Sequence, residues 1–368
     1  MTKPGTRTGD GAQRATPAGT QRYRDRHAGQ FVDDYFRPLA GTLTASSLGI
    51  GTYLGECDAV DDTRYSAAIR SALEQGINVI DSAINYRCQR SERAVGAALH
   101  DAIATSTVAR DEVIVCTKGG YVPLDGSAPA SREAYLSYLQ ETYIDSGIVG
   151  ADDLVGGGHS LSPSFLAHQI ERSQENLGVR TIDVYYLHNP EQQLDSVQPA
   201  RFRTILRRAF ALLEERVANG DIGCYGCATW NGFRTPPDTR GHLDLNEIVA
   251  MARDVGGDDH HFRVVQLPVN LAMSEAVRAP TQRLGGRRVV PFLQAAEELG
   301  VSVVASATLM QERLTSGLPR ELRDAFPSLE TDAQRAIAFV RSLPAVTSAL
   351  VGMRDTRHVA ENSAAAKR

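Results

Sequence analysis

The sequence predicts an α/β protein folded as a (β/α)8 TIM barrel, on three observations. Short β-branched runs alternate with stretches whose apolar residues recur at helical spacing. Eight such runs can be placed, which is the barrel number. Polar or ionisable residues close several of the runs, where the strands of a barrel converge on one mouth.

The first strand is expected at 47–51, after a hairpin turned at Ala40-Gly41. The others are INVID (77–81), EVIVCTK (112–118), IDVYYLH (182–188), IGCYGCA (222–228), RVVQLPVN (263–270), VSVVASA (301–307) and SALVGM (348–353). Helical spacing fits Thr63–Gln75, Ser91–Ala104, Pro163–Leu177, Phe202–Asn219, Leu245–Asp254, Val290–Leu299 and Asp332–Leu343. Gly76, Gly178, Gly220 and Gly300 fall just past helical runs, where a left-handed C-cap is wanted. A doubly wound open sheet is the rival, but GIGTYLGE does not continue into the GxGxxG turn such a sheet would place after its first strand. The third strand is followed by a long loop over 121–162, with a helix expected at Ser131–Tyr143 and a hinge at Gly156–Gly158; loops of that size act as lids or binding loops. Residues 1–20, rich in Gly, Thr and Pro, are expected as a flexible tail, leaving 21–368 as one barrel domain.

Composition narrows the function. With 42% hydrophobic residues the chain can bury a large core, and a net charge of −5 from 44 acids and 39 bases offers no footprint for nucleic acid or anionic lipid. No apolar run reaches the ~18–20 residues that span a bilayer, and the N-terminus lacks a secretory core. The expectation is a cytoplasmic protein with a small-molecule partner. Five cysteines fit a reducing compartment, and Cys224 and Cys227, a CxxC without a second pair or a nearby His, read as buried structural thiols with no metal.

Asp81, Lys118 and His188 close three successive strands, and Tyr86 follows five residues after Asp81. A phenol is a weak acid catalyst unless positive charge helps it ionise; Lys118 can supply that charge, and Asp81 can keep Lys118 protonated. His188 can bond a substrate oxygen, so the group suits a carbonyl that gains charge as hydride arrives. No side chain supplies hydride, which implies a nicotinamide cofactor.

DSAINY, VIVCTKGG, IDVYYLHNP, IGCYGCATWN and ALVGMRDTRHVAEN resemble, in order, the motifs of the aldo-keto reductase superfamily. The resemblance implies a tetrad of Asp81, Tyr86, Lys118 and His188, with Tyr86 as general acid, and NADP(H) extended across the mouth. It also implies cofactor contacts from Gly51, Thr52, Tyr53, Asp81, Thr229, Gln266, Ser306, Leu309, Arg354, His358, Glu361 and Asn362. The Arg354 fork suits the 2′-phosphate of NADPH. Two positions depart from the family: Ala228-Thr229 stands where Ser-Asn is common, and Ser306 where a ring stacks on the nicotinamide. Arg87 and Cys88 are expected to project into the substrate pocket. The function expected is NADPH-dependent reduction of an aldehyde, ketone or related C=N or C=C group. The alternative is a non-catalytic, cofactor-binding regulatory or scaffold subunit. A Schiff-base lyase using Lys118 is disfavoured because Asp81 would keep the amine protonated.

Overall fold

The computed structural model describes residues 13–286 and 288–368. Ala15 is buried, and Thr16, whose hydroxyl accepts from the Gly19 amide, caps helix α1 (Pro17–His27). The tail expected over 1–20 therefore divides: 1–12 lie outside the described residues, whereas Pro17–Thr20 open a helix. Thr16 as N-cap and Pro17 as first helical residue are the reason. Gly19 lets that helix dock, since a Cβ there would sit 2.2 Å from the Asp111 carbonyl oxygen.

The expected hairpin follows as β1 (Phe36–Leu39) and β2 (Leu43–Ser46), leading to β3 (Leu48–Gly51). Next come α2 (Ala59–Glu74), β4 (Val79–Asp81), α3 (Arg90–Ala104) and β5 (Ile114–Gly119). After the long excursion carrying α4 (Arg132–Leu139), the alternation resumes with α5 (Pro163–Leu177), β6 (Ile182–His188), α6 (Pro199–Ala218), β7 (Ile222–Ala228), α7 (Leu245–Gly256) and β8 (Phe262–Pro268). A one-turn helix α8 (Glu275–Arg278) and a second hairpin, β9 (Pro280–Leu284) with β10 (Arg288–Pro291), precede α9 (Phe292–Glu298) and β11 (Ser302–Ser306). The chain finishes with α10 (Arg320–Ala325), α11 (Asp332–Ser342), β12 (Val346–Gly352) and α12 (Thr356–Ser363). Val290, expected to open a helix, is strand; Pro291 is the N-cap from which α9 starts. Gly178 ends α5 at φ 64°, and Gly76, Gly220 and Gly300 also take positive φ where helices stop.

The eight strands β3, β4, β5, β6, β7, β8, β11 and β12 close a parallel barrel in that order. Its interior is filled by Val79, Ile114, Val184, Tyr186, Val264 and Val304 among others, and Leu39 and Ala45 of the first hairpin cover its base together with Ala15. The helices turn one apolar stripe inward; α3 buries Ala94, Val95, Ala98, Leu99 and Ala102 at helical spacing, with Val and Leu contributing about 1.5–3 kcal/mol each. Polar groups hold the base together. Asp183 accepts from the Ala15 amide (2.6 Å), the Val115 amide (2.8 Å) and Arg110 Nη2 (2.8 Å). Asn78 accepts from the Ser46 amide and donates to the carbonyls of Thr44 and Glu112.

Cys224 lies among the interior side chains and Cys227 among those facing the helices, both buried. Three residues apart on a strand, they point to opposite faces and do not form a chelating pair. No helix among the described residues is long and apolar enough to cross a membrane. The 121–162 excursion has its own small core of Val122, Leu139, Tyr143 and Val149 against Phe165. Gly156 and Gly157, at φ 55° and 76°, form a tight turn that folds His159 back onto Tyr121.

Candidate active site

Strand register brings Gly51, Asp81 and Gly352 level on neighbouring strands, and likewise His188, Ala228 and Gln266, so these residues share the C-terminal rim. Tyr86 reaches the same rim because DSAINY folds back at once. The Ser82 and Ile84 amides bond the carbonyls of Cys116 and Lys118, and the Tyr86 amide closes a turn on Ala83. Lys118, 1% exposed, donates from Nζ to Asp81 Oδ1 (2.5 Å) and to the Ser82 carbonyl (2.7 Å). The same Nζ lies 4.9 Å from the centre of the Tyr86 ring. Tyr86 packs edge-on between Tyr53 (5.0 Å) and His188 (5.8 Å).

Burial opposes the charge on Lys118, but Asp81 and Tyr86 outweigh it and the ammonium is held above its usual range. Burial also raises the Asp81 carboxyl, against the pull of Lys118 and Gln266. For Tyr86 burial wins over Lys118, so the phenol is raised rather than lowered. Loss of water around the ring outweighs the ammonium that the sequence places near it. Tyr86 is thus a protonated donor at neutral pH. His188 is pushed well below its usual range by burial, Lys118 and His159, and stays neutral. Behind it, His159 Nε2 bonds the His188 carbonyl (2.8 Å) while Nδ1 meets Gln193 Nε2 (2.8 Å), which fixes the Nε2–H tautomer. Burial lowers His159 to about 4.

These side chains open into a cleft of about 460 Å³ whose walls include Thr52, Tyr53, Thr229, Gln266, Ser306 and Leu309. It continues past Leu54, Gln311, Glu312 and Gly352 into a cavity of about 470 Å³, where Arg64, Arg354 and His358 gather. Four buried atoms lining the cleft, Asn85 Oδ1, His188 Nδ1, Thr229 Oγ1 and Thr308 Oγ1, have no hydrogen-bond partner. Each such group costs about 1–3 kcal/mol until something polar reaches it, so the cleft is built for a polar ligand. A dinucleotide fits this arrangement: a long trench with unsatisfied hydrogen-bonding atoms at one end and guanidinium groups at the other.

Several expected positions sit differently. Gln266 Nε2 is committed to Asp81 Oδ2 (2.8 Å), leaving its oxygen for a ligand. Arg354 is paired with Asp61 (2.9 Å) at the cavity wall. Glu361 and Asn362, further along α12, line neither space; Asn362 is buried, and the Glu361 carbonyl accepts from Gln334. Arg87 and Cys88 do not enter the substrate space. Three successive residues, Arg87, Cys88 and Gln89, take φ of 48°, 55° and 67°, and in this left-handed turn the Arg87 and Cys88 side chains are buried against the 56–62 segment. Arg87 then binds the Glu56 carbonyl and Asp62, and Cys88 meets Cys57. Tyr121 was not singled out from the sequence. It lies edge-on to His188 (4.9 Å) and its hydroxyl accepts from Asn189 Nδ2 (2.8 Å). Its place just after VIVCTKGG was the only signal.

The family model described as the aldo/keto reductase family matches residues 47–235. Over 169 residues the chain is 30% identical to D-threo-aldose 1-dehydrogenase of Pseudomonas sp, which covers 46% of this chain and 44% of that protein. Over 239 residues it is 31% identical to NADH-specific methylglyoxal reductase of Escherichia coli (strain K12), covering 60% and 64%. The matched parts thus span less than two thirds of either relative. Among solved structures, an aldo/keto reductase from Klebsiella pneumoniae in complex with NADP and acetate superposes with a TM-score of 0.59 at 20% identity, over 90% of this chain and 89% of that one. The glycerol dehydrogenase from Gluconobacter oxydans gives 0.60 at 20% identity, over 90% of each. At that identity the structures speak to the fold, whereas the family model spans just over half of the sequence, from the start of the barrel to beyond β7: the chain belongs to the aldo/keto reductase family.

Proposed function

We propose that the chain is an NADPH-dependent reductase of a small aldehyde, ketone or related C=N or C=C compound, with Tyr86 as general acid. The observation that carries this reading is one cleft into which a protonated phenol and a neutral imidazole both face, with a buried Lys118–Asp81 pair directly behind the phenol. A bound nicotinamide supplies the hydride. Tyr86 Oη and the His188 ring receive the substrate oxygen, stabilise the charge it gains, and Tyr86 releases its proton to it. Lys118, kept cationic by Asp81, stabilises the phenolate left behind, and Gln266 fixes the second oxygen of Asp81. Thr229 Oγ1 and Gln266 Oε1 would hold the carboxamide, with Thr52, Tyr53, Ser306 and Leu309 along the walls. Arg354 and His358 would face the phosphate end, Arg354 taking the 2′-phosphate.

Fluorescence titration with NADPH and with NADH, on the natural chain and on Arg354→Ala, tests the cofactor half. NADPH is expected to bind more tightly, and the substitution to weaken NADPH alone by about 1–2 kcal/mol, a modest loss because Arg354 is 43% exposed and shares Asp61. Equal weakening of both removes the phosphate role. Binding of neither sinks the reductase reading.

A further inference from the structure

We propose that Cys57 and Cys88 are an oxidative modification site: a peroxide joins them in a reversible disulfide that ties the loop after β3 to the loop after β4. The other cysteines, Cys116, Cys224 and Cys227, are buried on barrel strands. This pair lies apart from them at the mouth, with Cys57 half-buried and Cys88 buried. Their sulfurs are 3.2 Å apart, so about 1.2 Å of side-chain movement reaches the bond length of a disulfide. The backbones are already clasped on both sides of Cys57. Arg87 Nε donates to the Glu56 carbonyl (2.7 Å) and Nη2 to the Asp58 carbonyl (3.2 Å), while Arg87 also binds Asp62. Within the left-handed turn at Arg87, Cys88 and Gln89, the Cys88 side chain meets that loop and does not line the cleft.

The two sulfurs differ in a way that orders the chemistry. Burial and the neighbouring Cys57 push the Cys88 thiol up to about 12, so it remains protonated, whereas Cys57 is the sulfur that solvent reaches. The Cys57 thiolate attacks one oxygen of hydrogen peroxide, the O–O bond breaks, and the departing hydroxide is protonated to water, leaving a sulfenic acid on Cys57. The Cys88 sulfur then attacks the Cys57 sulfur. The S–O bond breaks and its hydroxyl leaves as a second water with the Cys88 proton. Two thiols lose two electrons, and one peroxide becomes two waters. A small dithiol reverses the bond by exchange.

The joined segments flank both spaces of the cleft, since Leu54, Gly55 and Glu56 line the outer cavity and Tyr86 the inner one. The disulfide does not depend on which nucleotide binds, so its test stands apart from the cofactor titration. The full chain is treated with equimolar hydrogen peroxide, alkylated, and mapped without reductant, in parallel with amide hydrogen exchange. The expected result is a Cys57–Cys88 linked peptide, loss of two titratable thiols, restoration by dithiothreitol, and slower exchange over 53–58. Cys57→Ser, a change at a half-exposed position, is expected to lose both the link and the slowing. A sulfinic acid on Cys57 with Cys88 still free, a link with unchanged exchange, or slowing that persists in Cys57→Ser overturns the proposal.

Discussion

The two ends of the barrel differ in how far their polar groups are committed. At the base, both oxygens of Asp183 are committed, the Asn78 amide is bonded through both its atoms, and Glu112 is gripped by Arg22 and Arg26. At the mouth, Asn85, His188, Thr229 and Thr308 present unpartnered atoms to the cleft, and eight of the eleven non-glycine residues with positive φ among the described residues lie there; the other three, Ala40, Ser106 and Ala345, lie at the base, where Arg110 Nε is also unpartnered. Unsatisfied groups and strained backbone are costs a chain tolerates where a ligand offsets them. Strained backbone is therefore denser at the mouth, and that is where the fold gives up more of its stability.

Asp183→Ala should be the most damaging change to the fold, because it leaves Arg110 without its carboxylate and strips two amides of their acceptor. Urea unfolding is expected to show a loss of about 3–5 kcal/mol, with nucleotide affinity of the folded fraction retained. A loss below about 1 kcal/mol would break the contrast between the ends. Tyr86→Phe keeps the ring against Tyr53 and His188 and removes only the hydroxyl, so carbonyl reduction is expected to fall by about 10²–10⁴-fold. The unfolding midpoint should stay where it was, and a lower midpoint would mean the mouth also carries stability. His159 sharpens the comparison because it sits at the mouth yet is fully engaged. Burial lowers it to about 4 in the fold from an ordinary 6.5, so the unfolded chain takes up the proton first. His159 should contribute about 3 kcal/mol to the loss of stability as pH drops from about 6.5 to about 4, alongside His188 and the other lowered histidines, and His159→Gln should make that part of the profile shallower without levelling it. An unchanged profile in the variant would assign the acid sensitivity elsewhere.

Much of this division could be read from the residues themselves. Strands buried on both faces appear as unbroken β-branched runs, and the last residue of a run is the one at the rim, which is why Asp81, Lys118 and His188 were legible. Helix α1 was not, because it buries Gly19, Thr20, Tyr23 and His27, a set without an apolar stripe, and is held by capping and by contacts with 111–112. The placing of Arg87 and Cys88 against the 56–62 segment depends on three consecutive left-handed residues of types that rarely adopt that conformation. The commitment of Gln266 to Asp81 spans 185 positions of chain, and the raised Tyr86 phenol depends on how much water the folded rim takes from the ring; neither is written in local sequence.

The Ala15–Asp183 bond also sets a clock. Its partners are 168 positions apart, which at ordinary rates of synthesis separates their emergence from the ribosome by roughly 10–30 s. Throughout that interval the Ala15 amide, two residues ahead of α1, has no acceptor, and the helix has no complete wall to lean on. The foot of the barrel is accordingly closed late, by a piece of chain made earlier that must wait for the middle of the molecule to arrive.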